Sequence, residues 1–239
     1  MPHFPNLNTR ITTPELMDDP ESDPGRLEKT LAQFELINRW LSGVRRILRQ
    51  QIVAAMQTQP DRQYHLVDLG AGACETPAWL LNYTRRKGLK LQVTACDHDP
   101  RVVRFARNRY GSTPGLTILQ RDISDLNDLG PIDFVFANHL LHHLPDNEIT
   151  TLLRRLAQIN PELAVLNDIR RHWRVYAGYR LLSSVWRSDS FARYDGLLSI
   201  RKGFRMKELK KLASEAGLVA ERVRVKTVFP GHIVLTYPT

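Results

Sequence analysis

A chain of 239 residues is long enough for one well-buried α/β domain with an embellishment and too short for two full domains. Its 42% hydrophobic and 25% charged residues suit a soluble globular protein, and no run approaches the roughly 20 apolar residues that span a bilayer. The formal net charge of +9 admits nucleic acid or an anionic surface as partner, although a solvated basic face explains it as simply.

The start, Met1-Pro2-His3-Phe4-Pro5, lacks the apolar core and cleavage signal of a secreted protein, so a cytoplasmic location is expected. Cys74 and Cys96 are expected as small buried hydrophobes, not as a disulfide or a metal cluster. Charge is uneven along the chain. Residues 15–28 carry Glu15, Asp18, Asp19, Glu21, Asp23 and Glu28, whereas 170–211 is rich in Arg and Lys, so the two segments should attract each other across a cleft.

In chain order, residues 1–23 read as an extended arm. Asp23 and Pro24 then form an N-cap and first-turn pair. Leu27, Leu31, Phe34, Leu41, Val44, Leu48, Ile52 and Ala55 recur at helical spacing and predict one long amphipathic helix. Residues 1–60 are therefore expected as an arm and helix that either cover a sheet edge or act as a lid.

From residue 61 strands and helices alternate, which predicts a Rossmann-like, mostly parallel α/β sheet with helices on both faces. Strands are expected at Tyr64–Leu69, Leu91–Asp97, Leu116–Gln120, Ile132–Asn138 and Leu163–Asp168. Thr76-Pro77 and Asp99-Pro100 read as helix starts, Gly88 and Gly111 as helix ends, and Asp146 as the cap of a helix running to Ile159. A helical insertion is expected at 170–204: an extra helix over 171–187 with Trp173, Tyr176, Tyr179, Arg180 and Trp186, then a loop carrying Tyr194 and Asp195 over the pocket. A helix at Met206–Ala216 and an antiparallel pair, Val219–Lys226 with His232–Tyr237, complete the pattern.

The chemistry begins at Val67-Asp68-Leu69-Gly70-Ala71-Gly72. Gly70 and Gly72 let the backbone turn and approach a ligand closely. The dinucleotide fingerprint needs a third glycine where this chain has Glu75, and Asp68 would repel a pyrophosphate. The turn suits a ligand carrying ammonium and sulfonium charge, which points to S-adenosylmethionine. Ligands of open α/β sheets bind beyond the carboxyl ends of the strands. Strand two supplies Asp97 (with His98 beside it) for a ribose, strand three is followed by Asp122-Ile123 for an amine and a purine face, and strand four ends in Asn138-His139.

This series, with Arg121-Asp122-Ile123 and Ile132-Asp133-Phe134-Val135-Phe136-Ala137-Asn138, resembles the class I S-adenosylmethionine-dependent methyltransferases over about residues 64–237. The resemblance implies a seven-stranded sheet whose last strand inserts antiparallel. It also implies that Asp68 with Gly70, Ala71 and Gly72 holds the methionine part, Asp97 the ribose and Asp122 the adenine. Asn138-His139-Leu140-Leu141-His142-His143-Leu144-Pro145 is similar to the turn of small-molecule methyltransferases of the ubiquinone/menaquinone-biosynthesis type. More loosely, Glu15–Asp19, Asn167–Arg171 and Asp195–Arg201 resemble bacterial methyltransferases encoded beside polyketide-forming enzymes.

A hydroxyl acceptor must lose a proton, and His139, His142 and His143 follow strand four where the methyl would sit, with 139 sharing a helical face with 142 or 143. Asp168, beside Arg170, is a further candidate to orient the acceptor or act as base, with a salt bridge to Arg171 as the structural alternative. No metal site is expected, because no acidic ligand cluster accompanies the histidines in sequence. The expected function is methyl transfer to a small, partly apolar molecule at a phenolic or enolic oxygen. Carbon methylation of a quinone- or polyketide-like ring, and ribose or guanine methylation of RNA, stay open as alternatives. The Asn/Asp-Pro-Pro-aromatic turn of base amino-methylation is absent after strand four. Oligomeric state is left open.

Overall fold

The computed structural model describes residues 5–40, 42–123, 125–126, 128–185 and 189–238. Met1, Pro2, His3, Phe4, Leu41 and Trp186, named in the sequence reading, lie outside the described residues, as does the last residue of the helix expected over 171–187.

Seven strands, β1 Gln63–Leu69, β2 Lys90–Asp97, β3 Leu116–Gln120, β4 Phe134–Asn138, β5 Leu163–Ile169, β6 Arg224–Val228 and β7 His232–Pro238, form one sheet in the order β3-β2-β1-β4-β5-β7-β6. Every pairing is parallel except those of β7, which runs antiparallel to both β5 and β6. The central strands are near-continuous apolar runs because both faces are covered. Tyr64, Leu66, Val93, Phe134 and Phe136 pack on one face, while Val67, Leu69, Val135 and Ala137 pack on the other. Each buried Val, Leu or Phe among them contributes about 1.5–3 kcal/mol relative to exposure.

Against the first face lie α2 Val44–Leu48, α3 Ala54–Met56, α4 Glu75–Arg86 and α5 Pro100–Tyr110; against the second lie α6 Asp146–Ile159 and α9 Met206–Glu215. The remaining helices, α1 Pro24–Trp40, α7 Trp173–Leu182 and α8 Ala192–Lys202, stand over the carboxyl ends of the strands.

The expected long helix is two pieces. Asp23 Oδ1 accepts the Arg26 N–H at 2.7 Å and starts α1 as predicted. The chain then breaks at Ser42, whose hydroxyl accepts the Val44 N–H, and at Gly43, with φ of 68°. A wide π turn, Arg49–Val53, joins α2 to α3. The apolar stripe stays in phase across the break, so spacing alone did not reveal it, and the two roles are divided: α1 walls the pocket, α2 and α3 cover the sheet.

Asp99 caps α5 through the Arg101 N–H at 2.8 Å. Two other expected caps are corrected. α4 starts one residue before Thr76, after a left-handed Cys74. Asp146 does not cap α6 but pairs with Arg10 at 2.5 Å. The extra helix is shorter than expected, and the expected loop after it holds α8, so Tyr194 and Asp195 are helical. Gly196 disguised that helix. It is there because a Cβ would stand 2.0 Å from the Tyr179 hydroxyl, where α7 and α8 touch.

Candidate active site

One cavity of about 1030 Å³ opens over the carboxyl ends of β1, β2 and β4. Asp68, Gly70, Ala71, Gly72, Asp97, His98, Asp122, Ile123, Asn138, His139, His142 and His143 all line it. Asp168 does not. It lies fully buried beneath His142.

The carboxylate-lined end of the cavity is built by strand ends and a tight turn. Asp68 is 2% exposed, and its Oδ1 has no hydrogen-bond partner among the described residues. Burial, with the Asp97 charge beside it, raises its pKa well above the usual carboxylate value. Asp97 accepts the Gly72 N–H at 3.0 Å through Oδ2 and the Asp99 N–H at 3.1 Å through Oδ1, so it also braces the turn. Burial raises its pKa too. Gly72 has φ of 55° and open space where a Cβ would stand. An orphaned, buried carboxylate beside a side-chain-free cradle fits a ligand with a cationic amino-acid end and would reject a pyrophosphate.

At the other end, Leu31, Phe34, Ile37, Val175, Leu182 and Ile200 from α1, α7 and α8 form an apolar wall. Among the described residues the expected aromatic lining reduces to Tyr179, whose hydroxyl donates to Ala192 O at 2.6 Å and whose pKa rises through burial. Trp173 is exposed, and Tyr176 and Arg180 do not reach the cavity; Arg174 does. Tyr194 is exposed, and Asp195 is buried, accepting the Leu16 and Met17 N–H groups that fix the arm. Arg170 is not at the cavity, and Arg171 is buried against Glu208 rather than Asp168, so the expected bridge does not form.

The three histidines do not share a helical face. His139 has φ of 60°, a left-handed conformation that histidine tolerates better than most residues, and only Leu141–His143 forms a 3-10 turn. His139 instead stacks on His232 of β7, with ring centroids 5.1 Å apart and the two Nε2 atoms at 3.0 Å. Burial, reinforced for His139 by its neighbour, lowers their pKa values to about 3 and about 4, so both are neutral near pH 7. His232 escaped the sequence reading. It sits 93 positions from His139, and only the antiparallel insertion of β7 beside β5 joins them.

His142 is built in differently. Its Nδ1 lies 2.8 Å from Asp168 Oδ1, and its backbone N–H donates to Oδ2 at 3.1 Å. Burial would lower its pKa, but Asp168 and Glu15 outweigh that and raise it to about 9. The same contact holds Asp168 at about 2 against its own burial. Glu15, from the arm, is 3% exposed and takes bonds from Ser199 Oγ at 2.8 Å and Lys202 Nζ at 3.1 Å. The expected attraction between acidic arm and basic segment is realised in this pair. Cys74 and Cys96 are free and buried, and burial pushes both thiols up.

Residues 66–160 match the model of a methyltransferase domain. No curated protein sequence matches the chain. Among solved structures, a SAM-dependent methyltransferase from Aquifex aeolicus is similar at 15% identity, with 90% of this chain and 97% of that one covered and a TM-score of 0.62. The plantazolicin methyltransferase BpumL, solved with SAH, is similar at 14% identity over 94% and 92% of the two chains, with a TM-score of 0.64. The CurJ carbon methyltransferase is similar at 17% identity over 90% of this chain and 61% of that one, with a TM-score of 0.63. These likenesses establish the fold. The matched segment, under half of the chain, contains the acid-glycine turn and the first four strand ends, so residues 66–160 carry the pattern of a methyltransferase domain on the fold these structures share, and the BpumL structure holds SAH.

Proposed function

We propose that the enzyme transfers the methyl group to a hydroxyl oxygen, phenolic or enolic, of a small and partly apolar acceptor. The observation that carries this reading is the continuity of the cavity: the carboxylate-lined cofactor end runs into an apolar chamber with a neutral histidine pair on its wall.

Asp68 would hold the methionine ammonium, with Gly70, Ala71 and Gly72 beneath the chain, Asp97 (flanked by His98) the ribose, Asp122 and Ile123 the adenine, and Asn138 the boundary with the acceptor. The bound cofactor supplies an electrophilic methyl on a sulfonium. The protein aligns the acceptor with it and keeps water out. The hydroxyl proton passes to Nδ1 of His139 in the tautomer whose Nε2 carries hydrogen, and that hydrogen then shifts to His232 across the Nε2–Nε2 bond. Charge is thus spread over two rings, which eases forming it in a buried place. His142 and Asp168 form a rigid floor under this pair, with Asp168 positioning His142 and not touching the acceptor.

Nucleic acid is a poorer fit. Two cations of the basic segment are already engaged internally, Arg171 on Glu208 and Lys202 on Glu15, and the cleft presents carboxylates. No helix among the described residues is long and apolar enough to cross a membrane.

The test is to incubate the enzyme with methyl-labelled cofactor and whole-cell extract and follow the label. It is expected in the organic-soluble fraction, as a methoxy group by NMR. Label in RNA or protein, or a carbon-bound methyl, overturns the assignment.

A further inference from the structure

Two adjacent histidines and a distant glutamate meet on the chamber wall, with a long contact from each ring to the one carboxylate. His142 directs Nδ1 to Asp168 at 2.8 Å, and His143 directs Nδ1 to Asp18 at 3.0 Å. Both rings therefore turn Nε2 the same way, toward Glu15. There the contacts do not close: His142 Nε2 is 3.5 Å from Glu15 Oε1, and His143 Nε2 is 4.0 Å from Oε2. In the same cluster other polar pairs close to 2.8–3.1 Å, including both bonds from Ser199 and Lys202 to Oε1. A Nε2–Oε gap of this size is too long for a good hydrogen bond. Donors about 2.05 Å from a tetrahedral zinc ion stand about 3.3–3.4 Å apart, so the 3.5 Å gap is close to the span of two ligands of one ion, and the 4.0 Å gap, to the other oxygen, has to narrow as the ion binds. All three donor atoms lie within 4.8 Å of one another.

We propose that Glu15, His142 and His143 bind one divalent ion of the zinc or cobalt class on the wall of the acceptor chamber. Two imidazole nitrogens and one carboxylate oxygen form a borderline donor set, which favours such ions over magnesium or calcium. The surroundings are those of an outer ligand shell. Each ring nitrogen facing away from the site is held by a carboxylate, which fixes the ring orientation, and Ser199 and Lys202 hold the Glu15 carboxylate. Glu15, His142 and His143 all face the cavity, so the remaining coordination positions open into it, toward water or an oxygen of the acceptor. The expectation of no metal was argued from the lack of acidic residues near the histidines in sequence; folding brings Glu15 in from the arm. This site does not depend on the identity of the methyl acceptor.

The test uses the tag-free, chelator-treated enzyme titrated with Co²⁺ alone, followed by visible d–d absorption and calorimetry, with Zn²⁺ as competitor. One equivalent of Co²⁺ should bind with intense bands and be displaced by Zn²⁺. His143→Ala and Glu15→Gln should each abolish the stoichiometric signal, and Asp18→Asn should weaken binding about 10–100-fold. An unchanged far-ultraviolet spectrum and melting temperature of metal-free His143→Ala check that the fold survives. Absence of a stoichiometric Co²⁺ complex, or equal binding by wild type and both ligand variants, overturns the site.

Discussion

Asp68 is a buried carboxylate with no hydrogen-bond partner at Oδ1 among the described residues, and it therefore costs stability until a ligand arrives. Its raised pKa sets the sign of the pH effect. The favourable contribution of the neutral acid is fully present below the unfolded value of about 3.9 and is lost as pH rises through the raised folded value. Without cofactor, Asp68→Asn should therefore melt above wild type at neutral pH, the difference closing toward pH 4. With cofactor the order should reverse, because the variant loses about 10–100-fold in affinity by calorimetry. For the histidine pair, His139→Asn and His232→Asn should each lower kcat about 10²–10⁴-fold while leaving cofactor affinity unchanged, as read in single-turnover assays. Asparagine suits the left-handed backbone at 139, so that variant tests the imidazole and not the turn. The strand-end acids were legible in the sequence because each follows an apolar run. His232 was not, since nothing near it in the chain separates a partner of His139 from an ordinary strand residue.

Arginines tie the arm down at the scale of elements. Arg10 spans Lys202 O, Leu144 O and Asp146; Arg171 reaches Leu7 O from a buried position; Arg101 donates to Met17 O, Asp19 O, Pro20 O and the Ser22 hydroxyl. Arg101→Ala should loosen residues 17–22 by about 1–3 kcal/mol and speed limited proteolysis there about 5–100-fold, while the sheet resists cleavage as before. The parallel strands were readable to within a residue or two because burial on both faces leaves uninterrupted apolar runs. The helices over the pocket were less readable. α8 hides behind the glycine that Tyr179 demands, and the break between α1 and α2 leaves the apolar period intact. Helices that line a cavity follow the shape of a ligand as well as the rules of a core, so their pattern is weaker.

On the scale of the whole molecule, the cofactor half is local in sequence and the acceptor half is not. β1, β2, β4 and the turns after them supply the cofactor end from one contiguous stretch, which is why the opening motif and the fold class could be read together. The acceptor chamber gathers Glu15 from the arm, Phe34 from α1, His139 after β4, Ile200 from α8 and His232 from β7. Some of the cations behind the net charge of +9 work inside the molecule as fasteners for the arm and for α9.

The antiparallel seat of β7 has a consequence for how the enzyme can fail. β7 is held between β5 and β6, so a partly opened molecule in which β6 and β7 have peeled away still keeps the strands that end in Asp68, Asp97 and Asn138. On the mechanism proposed above, such a molecule would bind the methyl donor with one ring of the histidine relay missing. Donor occupancy and turnover are thus separate readouts of the same chain: the first reports on the middle of the sheet, and the second reports that the whole sheet is closed.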